Sequence, residues 1–393
     1  MTSHISTKPD QIAALLSRPA FLALALVGIG VVAGAGGFGL GLALRPPPQP
    51  QNQVRTVGIG AAIGPGFADL AAKVKPAVVT ITAQSGPSRA ALQAQADMLD
   101  QLPQGLRDFF ADGVSAPERR ISAGSGFIIS ADGYVVTNGH VVGDGGDIEI
   151  TTDAGKTFRG TVVGIDRRTD IALLRIAGRG LPYVHLGTSA PRVGEWVLAV
   201  GDPFGLGGTV TAGIISGRGR DIGAGPYDDF LQIDAPINHG NSGGPAFNLS
   251  GDVVGMNTAI LSPSGGSIGL GFAIPAPLIE RVVKDLKANG VVARGWLGVS
   301  AQPVTSDFAR AVGLASTGGA VIDDAAAEGP ADGKLRPGDI VTQIDGAAVA
   351  DPHDLARVVG AHRPGETVTV DLLRAGHRVR QSIQLGALPA DPA

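Results

Sequence analysis

The block Gly240-Asn241-Ser242-Gly243-Gly244-Pro245 leaves the backbone few paths. Three glycines around one hydroxyl, closed by a proline, dictate a tight loop with φ values and close approaches that other residues resist. Such a loop exposes the Ser242 hydroxyl on one side and can aim backbone N–H groups at a single point. A nucleophile and an oxyanion cradle can therefore come from one stretch of chain. Gly240 and Ser242 are the expected cradle donors, with Asn241 as a third candidate. The chain spends 60 of its 393 residues on glycine, which suits turn-dense β structure and weakens long helices.

A serine hydroxyl attacks at neutral pH only if a neighbour takes its proton, and histidine titrates in the right range. The seven candidates are His4, His140, His185, His239, His353, His362 and His377. His140 follows two β-branched runs, 126–130 and 134–138, joined by Asp132-Gly133, a pattern that reads as a hairpin. It sits just past a strand end, on a rigid mount with a free face. His239 lies three positions from Ser242 in the same turn, so its ring points elsewhere. His185 falls in an expected strand or strand edge over 181–186. The others lie in the amino-terminal tail or the last hundred residues.

A carboxylate must fix the imidazole tautomer and stabilise its protonated form. Asp170 opens the buried-strand pattern Ile171-Ala172-Leu173-Leu174-Arg175-Ile176, whereas Asp166 precedes two arginines and reads as a turn cap. The chain order His140, Asp170, Ser242 is that of chymotrypsin-type proteases and differs from the subtilisin and α/β-hydrolase orders.

Three blocks, Thr137-Asn138-Gly139-His140-Val141-Val142, Thr169-Asp170-Ile171-Ala172-Leu173-Leu174 and residues 240–245, resemble the active-site blocks of the HtrA (Deg) serine proteases. Residues 201–207 and 269–275 resemble further family blocks in the correct order. The resemblance implies a mainly β chain: a chymotrypsin-like double β-barrel protease over 64–290, then a small α+β PDZ domain over 294–388. It implies a serine endopeptidase with no cofactor, acting on unfolded or misfolded envelope proteins, and it implies homotrimers. Trypsin-like enzymes carry an acid six residues before the serine to select basic side chains. Pro236 stands there, so small aliphatic residues are expected at P1, the position before the cleaved bond. Ile237, Asn257, Thr258 and Ala259 are the expected substrate-binding residues.

From Gly295 the chain restarts with Gly295-Trp296-Leu297-Gly298-Val299, which resembles the carboxylate-binding loop of PDZ domains. Trp296, Leu297, Gly298 and Val299 are then the expected peptide-binding residues. Backbone N–H groups there can hold a terminal carboxylate while the peptide adds as a strand. Residues 319–322, 333–341 and 344–346 look like the central strands of that fold, and 354–360 its groove helix. A helix is also expected over 275–290, where Ile279, Val282, Val283 and Leu286 recur at three and four residues before Gly290. Another is expected over 67–74, and a loop over 217–225.

Residues 21–44 carry no charge after a short tail, 1–20, and could cross a bilayer as a helix. They also fit a cleaved signal peptide ending near Ala33-Gly34-Ala35. The run continues past that site, which favours an uncleaved transmembrane anchor; charge does not settle its orientation, and the family resemblance implies a catalytic part in the periplasm, while cleavage would leave a soluble periplasmic protein. A Pro-rich tether spans 45–63. Residues 85–122 interrupt the β rhythm with an amphipathic stretch over 91–110 and read equally as a functional insertion or a surface loop.

A formal net charge of −4 supplies no basic field for nucleic acid. With no cysteine there is no disulfide, thiol nucleophile or thiolate metal site, and the histidines lack paired ligand spacing, so no metal is expected. Two further readings share these features: a peptide-binding chaperone or sensor in which the barrels are scaffold, and a regulatory protease with one dedicated target.

Overall fold

The runs of alternating β-branched residues close into two barrels and a third, smaller sheet in the computed structural model of the chain, which describes residues 66–85, 120–202, 208–238, 240–262, 266–311 and 317–389. The described residues fall within one unit, Gly60–Ala393. The expected anchor over 21–44, the tether over 45–63 and the amphipathic stretch over 91–110 lie outside the described residues. Among the described residues no helix is long and apolar enough to cross a membrane.

The first barrel contains β1 (Val78–Ser85), β2 (Arg120–Ile128), β3 (Tyr134–Asn138), β4 (Asp147–Thr152), β5 (Thr157–Asp166) and β6 (Ile171–Ile176), in the closed order β1-β2-β3-β6-β5-β4. Strand β6 shows why so apolar a segment is needed. Ala172, Leu174 and Ile176 point inward beside Val79, Ile81 and Ile150. Ile171 and Leu173, on the opposite face, join Phe127 and Val136 in the larger core outside the barrel. Period-two alternation with both faces buried reads as a continuous hydrophobic run.

The second barrel uses β7 (Trp196–Gly201), β8 (Thr209–Arg220), β9 (Phe230–Ile233), β10 (Pro245–Phe247), β11 (Val253–Ile260) and β12 (Gly271–Pro275), closed as β10-β11-β12-β9-β8-β7. A helix, α1 (Phe67–Val74), buries Leu70 and Val74, and a single turn, α2 (Gly139–Val142), follows β3. Helix α3 (Ala276–Asn289) buries Ile279, Val282, Val283 and Leu286, the face its spacing specifies. It stops where Gly290, at φ 73°, turns left-handed and donates its N–H to Leu286 O. Each such aliphatic side chain, once buried, contributes about 1.5–3 kcal/mol.

The PDZ-like unit pairs β13 (Gly295–Trp296) with β20 (Gly386–Ala387). Its main sheet runs β14 (Val299–Pro303), β15 (Ala320–Ala325), β16 (Ile340–Ile344), β18 (Thr367–Arg374), β19 (His377–Gln384), with β17 (Ala347–Ala348) beside β16. Two helices, α4 (Ser306–Ala311) and α5 (Pro352–Gly360), complete it.

Three local expectations are corrected. Residues 333–338 form turns rather than a strand, because Gly333 and Gly338 adopt positive φ and the Asp339 carboxylate accepts the Arg336 N–H at 2.9 Å. Residues 181–185 make no strand; only Leu186 forms an isolated bridge, to Val253. Residues 217–220 belong to β8, so the loop expected there starts at Asp221. The Asp228 carboxylate folds that loop by accepting the N–H groups of Ile222 at 3.1 Å and Ala224 at 2.9 Å.

Candidate active site

His140 leaves the first barrel on α2, two residues past β3, and Asp170 enters it one residue before β6. Because β3 and β6 are neighbours, with Asn138 opposite Ile171, the two side chains meet at one rim. Asp170 Oδ2 lies 2.7 Å from His140 Nδ1, and Asp170 Oδ1 accepts the His140 backbone N–H at 2.8 Å. Both carboxylate oxygens are thus spent on one residue, which fixes the ring orientation and leaves Nε2 outward. Asp170 reaches this position at φ 55°, a conformation uncommon for a residue with a side chain. Its carbonyl is held by Gly139 N–H at 3.0 Å and Asn138 Nδ2 at 3.0 Å.

Ser242 belongs to the second barrel, yet its loop is fastened to the first. Ser125, fully buried on β2, donates its backbone N–H to Ser242 O at 2.8 Å and its hydroxyl to Gly240 O at 2.6 Å. Gly243, at φ 82°, leaves no room for a side chain: an added Cβ would lie 2.2 Å from Ser125 O and 2.3 Å from Thr137 Oγ1. Asn138 spans the gap between barrels, its Nδ2 also donating to Thr258 Oγ1 at 3.0 Å. The Ser242 hydroxyl donates to Thr258 O at 3.2 Å; among the described residues no hydrogen bond joins it to His140.

The expected cradle donors divide. The Asn241 N–H is taken by Asn238 O at 3.0 Å, whereas Gly240 and Ser242 N–H groups donate to no acceptor among the described residues. The expected substrate residues divide as well. Ile237 is 3% exposed within the second-barrel core, and Asn257 is fully buried, its carbonyl accepting Gly243 N–H at 2.8 Å. Thr258 and Ala259 line a cavity of 460 Å³ beside His140 and Asp170. Asp229 lines it too; burial raises its carboxyl above the usual range, opposed by the charges of Arg357 and Arg218. Pro236 directs its carbonyl to the Thr211 hydroxyl at 2.8 Å. The nearest acid before it, Asp234, accepts Ile214 N–H at 2.6 Å. His239 lies outside the described residues.

In the PDZ-like unit, Trp296, Leu297, Gly298 and Val299 line one groove of 260 Å³, facing Leu355 and Val359 of α5. Leu297 and Gly298 N–H groups donate to no acceptor among the described residues, and Gly298 sits at φ 74°.

Three participants escape a reading of the sequence. Asp166, expected as a turn cap, does accept the Thr169 hydroxyl, but it is also buried against Arg294, which grips it with two bonds of 2.8 and 2.5 Å. Asn138 and the Thr258 carbonyl are the others. Proximity to His140 and to Gly295 marks Asn138 and Arg294 as candidates; nothing local marks a backbone carbonyl.

Residues 124–256 match the trypsin-like peptidase domain family and residues 295–385 the PDZ domain family. The chain is 47% identical over 356 residues to a probable periplasmic serine endoprotease, DegP-like, of Brucella suis biovar 1 (strain 1330), covering 83% of this chain and 69% of that protein. It is 45% identical to a protein of the same description in Rhizobium meliloti (strain 1021), covering 83% and 71%. Among solved structures, the HtrA-type protease AlgW with decapeptide superposes at TM-score 0.67 with 36% identity, covering 82% of this chain and 99% of that one. The serine endoprotease from Yersinia pestis superposes at 0.60 with 30% identity, covering 84% and 100%.

Proposed function

The chain belongs to the DegP-like, HtrA-type family of serine endoproteases, and from that premise we propose that Ser242, His140 and Asp170 carry out peptide-bond hydrolysis. One observation carries the assignment: the paired Asp170 contacts orient His140 at the rim to which Ser125 ties the Ser242 loop. In the reaction His140 Nε2 takes the Ser242 proton as the oxygen attacks the scissile carbonyl. The oxyanion that forms is stabilised by the Gly240 and Ser242 N–H groups. His140 then gives its proton to the leaving amine, and water, deprotonated in turn by His140, hydrolyses the acyl-enzyme. Asp170 stays ionised throughout and stabilises the imidazolium.

With Pro236 and an occupied Asp234 in place of a free acid, a small aliphatic residue at P1 is the reading the site supports. Uncharged pockets discriminate by only about 1–3 kcal/mol per methylene, which favours unfolded polypeptides over one tightly defined sequence. The groove at Trp296–Val299 takes peptide carboxyl termini, supported by its two unengaged N–H groups and apolar wall. The relatives' names support a periplasmic catalytic part. A membrane anchor over 21–44 rests on its uncharged run, and a homotrimer on the family resemblance.

A fluorophosphonate probe should label the wild type and not Ser242→Ala, with casein hydrolysis falling about 10⁶-fold in the variant. Labelling that survives the substitution sinks the nucleophile assignment. Cleavage dominated by Arg or Lys at P1 sinks the specificity. Undiminished suppression of aggregation by Ser242→Ala would move the protein's main role to binding.

A further inference from the structure

Tyr134, Val136 and Asn138 share one face of β3, because side chains alternate along a strand. Tyr134 and Val136 pack into the core that also holds Leu198, Val200, Phe247 and Met256 of the second barrel. An aliphatic side chain would fit the next place on that face. Asn138 stands there instead, an amide fully buried between the barrels.

The amide has one orientation. Its Nδ2 lies 3.0 Å from the Asp170 carbonyl oxygen and 3.0 Å from Thr258 Oγ1. A carbonyl can only accept, so the nitrogen must face it; the reverse setting would press two acceptors together. Thr258 Oγ1 accepts from Asn138 and donates its own hydrogen to Met256 O at 3.2 Å. Both amide hydrogens are therefore used, one on each barrel. Oδ1 is buried and accepts from no group among the described residues. A buried acceptor left unpaired lowers stability, so the favourable part of this residue lies in its two donors.

Those two bonds end on the two halves of the site. One holds the backbone of Asp170, the residue that orients His140. The other holds Thr258, whose carbonyl accepts the Ser242 hydroxyl at 3.2 Å. Ser125 fastens the backbone of the Ser242 loop, but among the described residues it makes no hydrogen bond to Asp170 or Thr258. We propose that Asn138 is a positioning residue for the hydrolysis. Its amide sets the spacing between the His140–Asp170 pair and the Thr258 carbonyl, and with it the path of the Ser242 hydroxyl from that carbonyl to the imidazole. Fully buried, Asn138 reaches no substrate, so its effect falls on acylation rather than on binding. This rests on the triad reading above, and the test separates the two.

The full chain is compared as wild type, Asn138→Ala, Thr258→Ser, Thr258→Val and the double variant Asn138→Ala/Thr258→Val. A fluorophosphonate gives the rate of Ser242 modification, labelled casein gives kcat and KM, and Ser242→Ala is the blank. In Asn138→Ala the labelling rate and kcat should fall between about tenfold and about 10²-fold, with KM unchanged. Thr258→Val, which removes the acceptor, should lose about tenfold, while Thr258→Ser, which keeps the hydroxyl, should stay within about threefold of wild type. In the Asn138→Ala background Thr258→Val should cost less than about threefold more, since the acceptor has already lost its donor. A further loss of about tenfold in the double variant overturns the role of Asn138, because independent sites add. A change confined to KM, or equal rates in Thr258→Ser and Thr258→Val, also overturns it while the triad reading stands. Should Asn138→Ala fail to fold, the two Thr258 variants decide by themselves. Labelling that survives in Ser242→Ala overturns the triad reading instead.

Discussion

His140 and Asp170 hang from the ends of adjacent first-barrel strands and are already joined through two contacts of 2.7 and 2.8 Å. Ser242 hangs from a glycine loop of the second barrel and spends its hydroxyl on that barrel's own Thr258 carbonyl. Strand ends in a closed barrel leave a side chain little choice: register fixes where β3 and β6 end, and the side chains follow. A loop rich in glycine takes its orientation from what it meets. Here it meets Ser125, which fixes the backbone of the loop and leaves its hydroxyl to find a separate acceptor.

After loss of the nucleophile itself, the largest expected effect strikes the first-barrel half. Asp170→Asn keeps the shape of the orienting residue but loses the charge that stabilises the imidazolium, so kcat should fall about 10⁴-fold in a single-turnover acylation assay. A fall under tenfold would mean that the two contacts position nothing that matters. The second-barrel half is tested by Gly243→Ala. The added Cβ meets Ser125 O and Thr137 Oγ1 in a left-handed residue, so the loop must shift and carry the Ser242 N–H with it. A loss of about 10²–10³ in kcat, as for a lost oxyanion donor, is expected at unchanged circular dichroism. An unchanged rate would show that the loop is not held by its neighbours.

The smallest effect lies on the first barrel away from the site. Hydrogen bonds from Ser130 and Arg175 lower the Asp132 carboxyl from 3.8 to about 2. A depressed carboxyl contributes stability that is present above its unfolded value and is lost as pH falls through its folded one. Urea midpoints of the wild type should therefore drop slightly more than those of Asp132→Asn between pH 4 and pH 2, at equal neutral-pH activity. An identical acid limb in both proteins removes this contribution.

How much of this was legible beforehand follows the same division. The hairpin before His140, the buried run after Asp170 and the amphipathic face of α3 are local patterns with a fixed period, and they appear where the period puts them. The Gly240 and Ser242 amides were likewise singled out from local spacing, and both donate to no acceptor among the described residues. Asn257 and Ile237 were expected at the substrate and lie buried, because the β11–β12 register and the second-barrel interior decide which face each presents. Arg294 and Asp166 meet across 128 residues, and no window of sequence reports such a pair. The strand expected over 333–338 failed for a nearer reason: two glycines at positive φ flank a stretch in which Leu335 is the single aliphatic side chain.

The bond from Ser242 to Thr258 has a cost that the proposed cycle must meet. In that cycle the proton leaves the carbonyl before it travels to the imidazole, and a neutral hydrogen bond of this type is worth about 0.5–1.5 kcal/mol. As a latch it biases the idle population roughly two- to twelvefold toward the silent rotamer. That is too little to stop a seated polypeptide from being cut.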